Sequence, residues 1–494
     1  MMGETVNTAP FDANALRRQM QAAAIRSVVE DRFVIVNWGT GVGKSRVGIG
    51  AVEEVFKLGG LRILLLVDQT FHKSNWQKEF EDAKGEEHGR RLFESITVEC
   101  YASLPKYVGT QWDLIVADEA HHLRGENRIA LLEQVKTERM LCLSATVSCK
   151  GDGEDLLAML NSTFGFFRSF DFGVQDAIDT GILAEPVVHI HVLPIEDVSG
   201  RMDVVEEWGK KERRVKISAT YADYKQYLDK QKYPAATMTI DCTMEEAYRY
   251  YSRQTELAAM KYKKLSDDRD ADPKTVMWAK NRYVRCGGQR KLIIGKAKTV
   301  FARGLVGYLD KKGLKYLCFC ADVDQAIELG GGHVIFSGRK DRLEDLCKRD
   351  GTEEPQFKTN EEVVAAFNEG SIRSLFAVNM IQEGQNLKGI EAGVTVQLAG
   401  KDRQFIQKFG RTLRSSKPEQ HVIVAAGTKD VKYLRESLSG LDPRYFVLHG
   451  LGRLKGKIKT LDDIPVEEPV ILNNEKKPDP SQPPISGLFG YNNR

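Results

Sequence analysis

The stretch from Trp38 to Ser45 reads Trp-Gly-Thr-Gly-Val-Gly-Lys-Ser, and its residue types and spacing point to phosphate chemistry. Thr40, Gly41, Val42 and Gly43 form a turn whose glycines let backbone N–H groups close on phosphate oxygens. The start of the helix that follows adds its partial positive charge. Lys44 can then reach the β- and γ-phosphates, and Ser45 offers a hydroxyl to Mg²⁺. The strict spacing wants glycine where Trp38 stands, so this is not a generic phosphate loop. Further on, Asp113-Leu-Ile-Val-Ala117 reads as a buried strand that ends at Asp118 and Glu119. In an open parallel sheet, ligands sit outside the carboxyl ends of strands, which places both carboxylates beside the phosphate loop. Asp118 is the expected Mg²⁺ partner, through water, and Glu119 the group that orients or deprotonates an attacking water. Together these residues imply hydrolysis of a nucleotide, with ATP the expected one.

The elements that must position them follow from hydropathy. A β-branched run at 33–36 leads into the loop, and a helical pattern from Lys44 to Leu58 leads out, ending at Gly59 and Gly60 where a left-handed cap fits. Strands are expected near 33–37, 62–67, 113–117 and 140–144, alternating with helices. A second set is expected at 315–320, 333–336, 374–378, 394–398 and 422–426. Alternating strands and helices call for parallel sheets covered on both faces.

The order of motifs resembles that of superfamily 2 helicases and translocases over about residues 15–430. Gln21, in the run from Arg18 to Ile25, is similar to the glutamine that reads adenine in that family. Residues 64–70 and 75–80 resemble motif Ia and its following helix, and 101–104 the next strand-binding element. Residues 143–146, Leu-Ser-Ala-Thr, match motif III, which in the family couples hydrolysis to domain movement. Residues 376–387, which include Gly384, resemble motif V. Gln407, Gly410, Arg411 and Arg414 match motif VI. The two arginines lie three apart on an expected helix, so both can face one cleft. A guanidinium there neutralises charge on the γ-phosphoryl group, worth roughly 10³–10⁵ in rate where it acts as a finger. The resemblance therefore implies catalytic roles for Lys44, Glu119, Arg411 and Arg414. It implies nucleotide contacts from Gln21, residues 40–45, Gly384 and Gln407, with Ser45 and Asp118 on the metal.

The fold implied is α/β: two RecA-like parallel-sheet lobes, an ATP cleft between them and a mostly helical insertion. Residues 1–190 are expected as the first lobe, 191–311 as linker and insertion, 312–450 as the second lobe, and 451–494 as a basic segment and flexible tail. Residues 118–123 and the charged insertion look like Swi/Snf-type double-strand translocases. The glycine in motif VI is more similar to phage branch-migrating helicases and restriction motor subunits. The implied activity is an ATP-driven DNA motor on duplex or forked DNA. An RNA helicase, a restriction-type motor subunit, and a nucleotide-dependent binding protein without turnover are the alternatives.

Lys and Arg total 72 against 69 Asp and Glu, a net charge of +3, so no global polycation drives nucleic-acid binding. Basic residues are instead focused at 209–216, 282–298 and 453–459, each of which also suits a solvated charged face. Aromatics interleave with bases between 240 and 311, as expected where a protein grips a backbone or where amphipathic helices pack. The eight cysteines include no CxxC pair, and the nine histidines show no ligand spacing. Cys318 and Cys320 are expected on opposite faces of a strand, against a metal site. Free thiols and the lack of an apolar run of ~18 residues suggest a soluble, intracellular protein, cytoplasmic if bacterial or phage. From about Val466 the chain is rich in proline, asparagine and charge. Within it Gln482, Ile485, Leu488 and Phe489 resemble the short peptide that replication proteins insert into a sliding clamp.

Overall fold

The computed structural model describes residues 12–124, 127–145, 155–195, 199–206, 215–220, 236–378, 387–398, 410, 412–413 and 415–468. Its first lobe is a six-stranded parallel sheet in the order β3-β2-β5-β7-β1-β8. These strands are β1 (Phe33–Trp38), β2 (Ile63–Val67), β3 (Thr97–Cys100), β5 (Leu114–Ala117), β7 (Met140–Ser144) and β8 (Arg168–Phe172). Two two-residue strands, β4 (Gln111–Trp112) and β6 (Lys136–Thr137), pair with each other beside it. Every residue of β2, β5 and β7 is buried, because a parallel sheet is covered by helices on both faces. Two separate apolar clusters fill those faces, one around Val34, Val36 and Leu65, the other around Ile35, Leu64 and Leu66. Residues alternating along one strand therefore go to opposite cores, as the pleat requires.

Two helices frame the phosphate loop. Helix α1 (Ala13–Glu30) is capped by Asp12, whose carboxylate accepts from Asn14 N at 2.9 Å and Ala15 N at 3.1 Å. Helix α2 (Lys44–Lys57) packs against it so closely that a Cβ on Gly50 would lie 2.3 Å from Ile25 Cδ1. Helix α2 ends as expected, with Gly59 at φ +86°.

The second sheet has seven parallel strands in the order β14-β15-β13-β16-β17-β9-β18. They are β9 (Val187–Leu193), β13 (Tyr316–Phe319), β14 (Val334–Ile335), β15 (Ser374–Ala377), β16 (Ala392–Thr395), β17 (Glu419–Ala425) and β18 (Phe446–Gly450). Both sheets thus have the parallel α/β character expected of RecA-like lobes.

Three boundaries differ from expectation. Strand β9 pairs along its whole length with β17, so the first lobe gives way before Val187 and not at 190. The insertion opens with strands where a linker was expected. There β10 (Ser199–Glu206), β11 (Val215–Thr220) and β12 (Ala236–Thr243) form a three-stranded sheet. Then come two helices, Met244–Ser266 and Pro273–Lys312. A reciprocal cap starts the first: Glu246 N donates to Thr243 Oγ1 and Thr243 N to the Glu246 carboxylate. The second reaches into the second lobe, where Ala302, Leu305, Val306 and Leu309 join the core around Tyr316 and Cys318. Its Lys298, fully buried, donates to Val396 O at 2.7 Å and pairs with Asp430. Finally, the basic segment expected to follow the second lobe from 451 packs on it, with Leu454, Ile458 and Ile464 buried against the lobe.

Cys318 and Cys320 share one face, contrary to expectation, with their sulfurs 3.9 Å apart. Side chains alternate with a period of two, so residues i and i+2 point the same way. Among the described residues, no helix is long and apolar enough to cross a membrane. The expected flexible tail beyond Glu468 lies outside the described residues, and with it Gln482, Ile485, Leu488 and Phe489.

Candidate nucleotide site

The phosphate loop leaves the carboxyl end of β1, flanked in the sheet by β7 and β8, with β5 beyond β7. Gly41 and Gly43 take φ of +93° and +107°, which L side chains rarely adopt. Gly43 is the N-cap of α2 and carries no side-chain cap, so the first helical N–H groups remain available to an anion. Gln21, on α1, donates from Nε2 to Gly43 O at 3.3 Å. A Cβ on Gly43 would stand 2.4 Å from that amide nitrogen, so glycine is needed for space as well as for φ. Lys44 Nζ donates to Trp38 O at 2.9 Å, which keeps the ammonium folded across the loop. Trp38 itself is 1% exposed and belongs to the first-lobe core. The residue that breaks the strict glycine spacing is thus the last core residue of the strand.

The acidic side sits two strands away. One Asp118 oxygen accepts from Trp76 Nε1 at 2.7 Å and the other from Glu119 N at 3.0 Å. Tyr101 OH donates to the Asp118 carbonyl at 2.7 Å and holds the strand end in place. Burial, followed by the adjacent Glu119 charge, pushes the Asp118 carboxyl up to about 7, against the pull of Trp76 and Lys44. Glu119 adopts φ +46°, an uncommon conformation for a side-chain-bearing residue and one that turns the chain sharply after β5. His121 Nδ1 stands 3.4 Å from Glu119 Oε2 and 3.5 Å from Ser144 Oγ at the end of β7. His122 Nδ1 stands 3.4 Å from Asp68 Oδ1 after β2. The ends of β2, β5 and β7 are thereby tied into one polar network.

Glycines that cradle an anion and two adjacent carboxylates at the end of β5 fit a nucleotide with a divalent metal. The residues able to hold that metal are Asp118 and Ser45. Trp76 was not assigned a role by sequence reasoning. An indole in a helix reads as core, and only the fold brings its N–H to Asp118.

The second lobe approaches this loop at Gly410. A Cβ there would lie 2.4 Å from Thr40 Cβ, so the two backbones meet more closely than any side chain allows. Thr412 and Leu413 just after it are buried. Gln407, Arg411, Arg414, Gly384 and Thr146 lie outside the described residues.

The insertion hairpin presents a different surface. Met260, Met277 and Trp278 are exposed, and Lys261 Nζ and Arg282 Cζ lie 5.1 and 5.9 Å from the Trp278 ring centroid. Tyr262 and Tyr283 stack beside them at 6.4 Å.

Comparison with known proteins gives two family matches. Residues 15–149 match the family described as type III restriction enzyme, res subunit, and residues 305–416 match the helicase conserved C-terminal domain. The chain is similar to the DNA 3'-5' translocase XPB2 of Sulfurisphaera tokodaii, with 21% identity over 429 residues. That alignment covers 85% of this chain and 83% of the relative. Among solved structures, the DNA-bound type ISP restriction-modification enzyme LlaBIII is similar at 12% identity and a TM-score of 0.46. The match covers 89% of this chain but only 31% of that one. The Hef helicase domain of Pyrococcus furiosus is similar at 12% identity and a TM-score of 0.40, over 87% of this chain and 98% of that one.

Proposed function

Because the chain is a superfamily 2 helicase/translocase, we propose that it is an ATP-dependent motor on DNA, hydrolysing ATP where its two lobes meet. The observation that carries this reading is the apposition of Gly410 and Thr40, which brings the second lobe onto the phosphate loop of the first. Hydrolysis at such a junction changes the groups that hold the lobes together, and movement follows from that change.

The roles proposed for individual residues follow from position. Residues 40–45 take the phosphates on backbone N–H groups, with Lys44 swinging from the Trp38 carbonyl to the γ-phosphate. Gln21, already braced on Gly43, presents its amide to the adenine edge. Ser45 and Asp118 would hold Mg²⁺, which would offset phosphate charge. Glu119 orients the attacking water and takes its proton, and His121 holds Glu119 toward it while reaching Ser144. Arg411 and Arg414, which follow Gly410 on the second lobe, are proposed to neutralise charge on the transferred group, and Gln407 and Gly384 to complete that surface.

DNA is the proposed substrate because the Sulfurisphaera relative is a DNA translocase, and duplex or forked DNA is the finer proposal. The exposed Trp278 with Lys261 and Arg282 supplies the stacking and charge suited to gripping a nucleic-acid backbone. Contacts should be to phosphates and independent of sequence, since a stepping motor cannot hold particular bases. The test is ATP-driven displacement of a third strand from a duplex. Displacement with ATP and none with a non-hydrolysable analogue is expected. ATP hydrolysis without displacement would refute the motor reading. A sliding clamp, bound through Gln482, Ile485, Leu488 and Phe489, is a further proposed partner. Failure of the 478–494 peptide to bind a clamp at about 100 μM would remove it.

A further inference from the structure

Four histidines far apart in sequence meet on one face of the second sheet, outside the nucleotide site. His189 and His191 alternate along β9, so both point the same way, and β9 lies between β17 and β18. The register sets His421 of β17 beside His189, and His449 of β18 beside His191. The rings stack, His189 on His421 at 4.8 Å between centroids and His191 on His449 at 4.9 Å. Nothing in the spacing of the chain announces this, because β9 lies more than 200 residues before β17 and β18.

Their hydrogen bonds divide the four rings into two kinds. His191 Nε2 lies 3.1 Å from His421 Nδ1, and His189 Nδ1 lies 3.0 Å from His449 Nε2. Each pair uses one nitrogen of His189 and of His421 and leaves the other for a ligand. His421 is 4% exposed, and its Nε2 is buried without a hydrogen-bond partner. What it faces is Glu419 Oε2, at 3.6 Å. A neutral imidazole that donates through one nitrogen carries a lone pair on the other. In the tautomer in which His421 donates Nδ1–H to His191, its buried Nε2 lone pair confronts the Glu419 carboxylate. Two acceptors so placed call for a cation between them.

We propose that His189, His421 and Glu419 form a binding site for a divalent transition-metal ion of the zinc class. One ligand atom from each of the three lies within 4.8 Å of the others. Two imidazoles and a carboxylate are a donor set that suits zinc or cobalt and not magnesium or calcium. His191 and His449 fix the ligand rings through their other nitrogens, as partners of metal-bound histidines commonly do. Lys312 Nζ stands 3.8 Å from the opposite Glu419 oxygen, Oε1, so Oε2 is left for the metal. The Lys312 charge opposes the ion, and its partly exposed side chain can turn to solvent. The occupied site would pin β9, the strand by which the chain enters the second lobe, to β17.

The test uses the full-length, untagged protein in the Asp118→Asn background, which removes the other carboxylate site that a metal could take. After dialysis against a chelator, Co²⁺ is titrated in and read by its visible d–d absorption, with thermal melting followed in parallel. One equivalent bound, a raised melting temperature and displacement by Zn²⁺ are expected. Glu419→Gln and His421→Asn should each lose the band, while His88→Asn, on the other lobe, should keep it. Should a variant fail to fold, X-ray absorption of the Co²⁺-loaded parent decides, and a shell containing two imidazoles is expected. Absence of a d–d band at about 100 μM Co²⁺, a band that survives both substitutions, or a shell without imidazole would overturn the proposal.

Discussion

Substituting Gly410 by alanine adds a single methyl group where the two lobes meet. The new Cβ would lie 2.4 Å from Thr40 Cβ, 3.0 Å from its Cγ2 and 3.2 Å from its Oγ1. Ordinary contact starts at 3.4 Å, so the surfaces must part by about 1 Å. Rotating the Thr40 side chain does not help, because the nearest atom is its Cβ, which moves only with the backbone. Overpacking of this kind costs about 1–3 kcal/mol in a closed core. Here it is relieved by opening the junction, since neither Thr40 nor Gly410 lies in a strand of either sheet. The melting temperature should therefore stay near that of the parent. A misplacement of about 1 Å between reacting groups costs on the order of 10²-fold in rate, and turnover should fall by about that much. The assay is steady-state ATPase at saturating DNA and ATP, with circular dichroism melts as the control for folding. Gly304→Ala is the matched control, because a Cβ there meets nothing within 4 Å. Parent-level turnover in Gly410→Ala would refute the reasoning, since the two surfaces would then not meet in the hydrolysing state.

Lys44→Ala removes the ammonium held at the Trp38 carbonyl and should lower ATP turnover by at least about 10²-fold, measured by phosphate release. Asp118 supplies a pH test. Its carboxyl is raised from 3.8 to about 7, so its contribution to stability is complete below about pH 4 and is lost as pH rises through 7. In the nucleotide-free protein, Asp118→Asn should melt at a higher temperature than the parent at pH 8. That advantage should shrink toward pH 4, and a pH-independent difference would contradict the burial argument.

The phosphate loop and the Asp118–Glu119 pair were legible in the chain because phosphate chemistry tolerates few residue types. Glycine at φ +93° and +107° and a lysine at the helix start leave little alternative. The alternation of strands and helices was legible for the same kind of reason, since strands such as β2, β5 and β13 are unbroken apolar runs. What the chain did not reveal is which sheet a strand joins. Val187–Leu193 follows the first lobe directly but pairs with Glu419–Ala425, a contact no local pattern encodes. The sheet of β10, β11 and β12 was missed because its strands carry charge and threonine in place of apolar runs. The histidine cluster and the Trp76–Asp118 hydrogen bond were missed because both join segments through the tertiary fold alone.

The central claim is that hydrolysis by Glu119 at the lobe junction is coupled to DNA. It is tested most directly by ATPase with and without duplex DNA in the parent and in Glu119→Gln, alongside ATP binding by each. The account predicts that duplex DNA accelerates turnover in the parent, and that Glu119→Gln binds ATP and DNA but hydrolyses neither with nor without DNA. A parent whose turnover ignores DNA, or a Glu119→Gln variant that still hydrolyses at the parent rate, would contradict it.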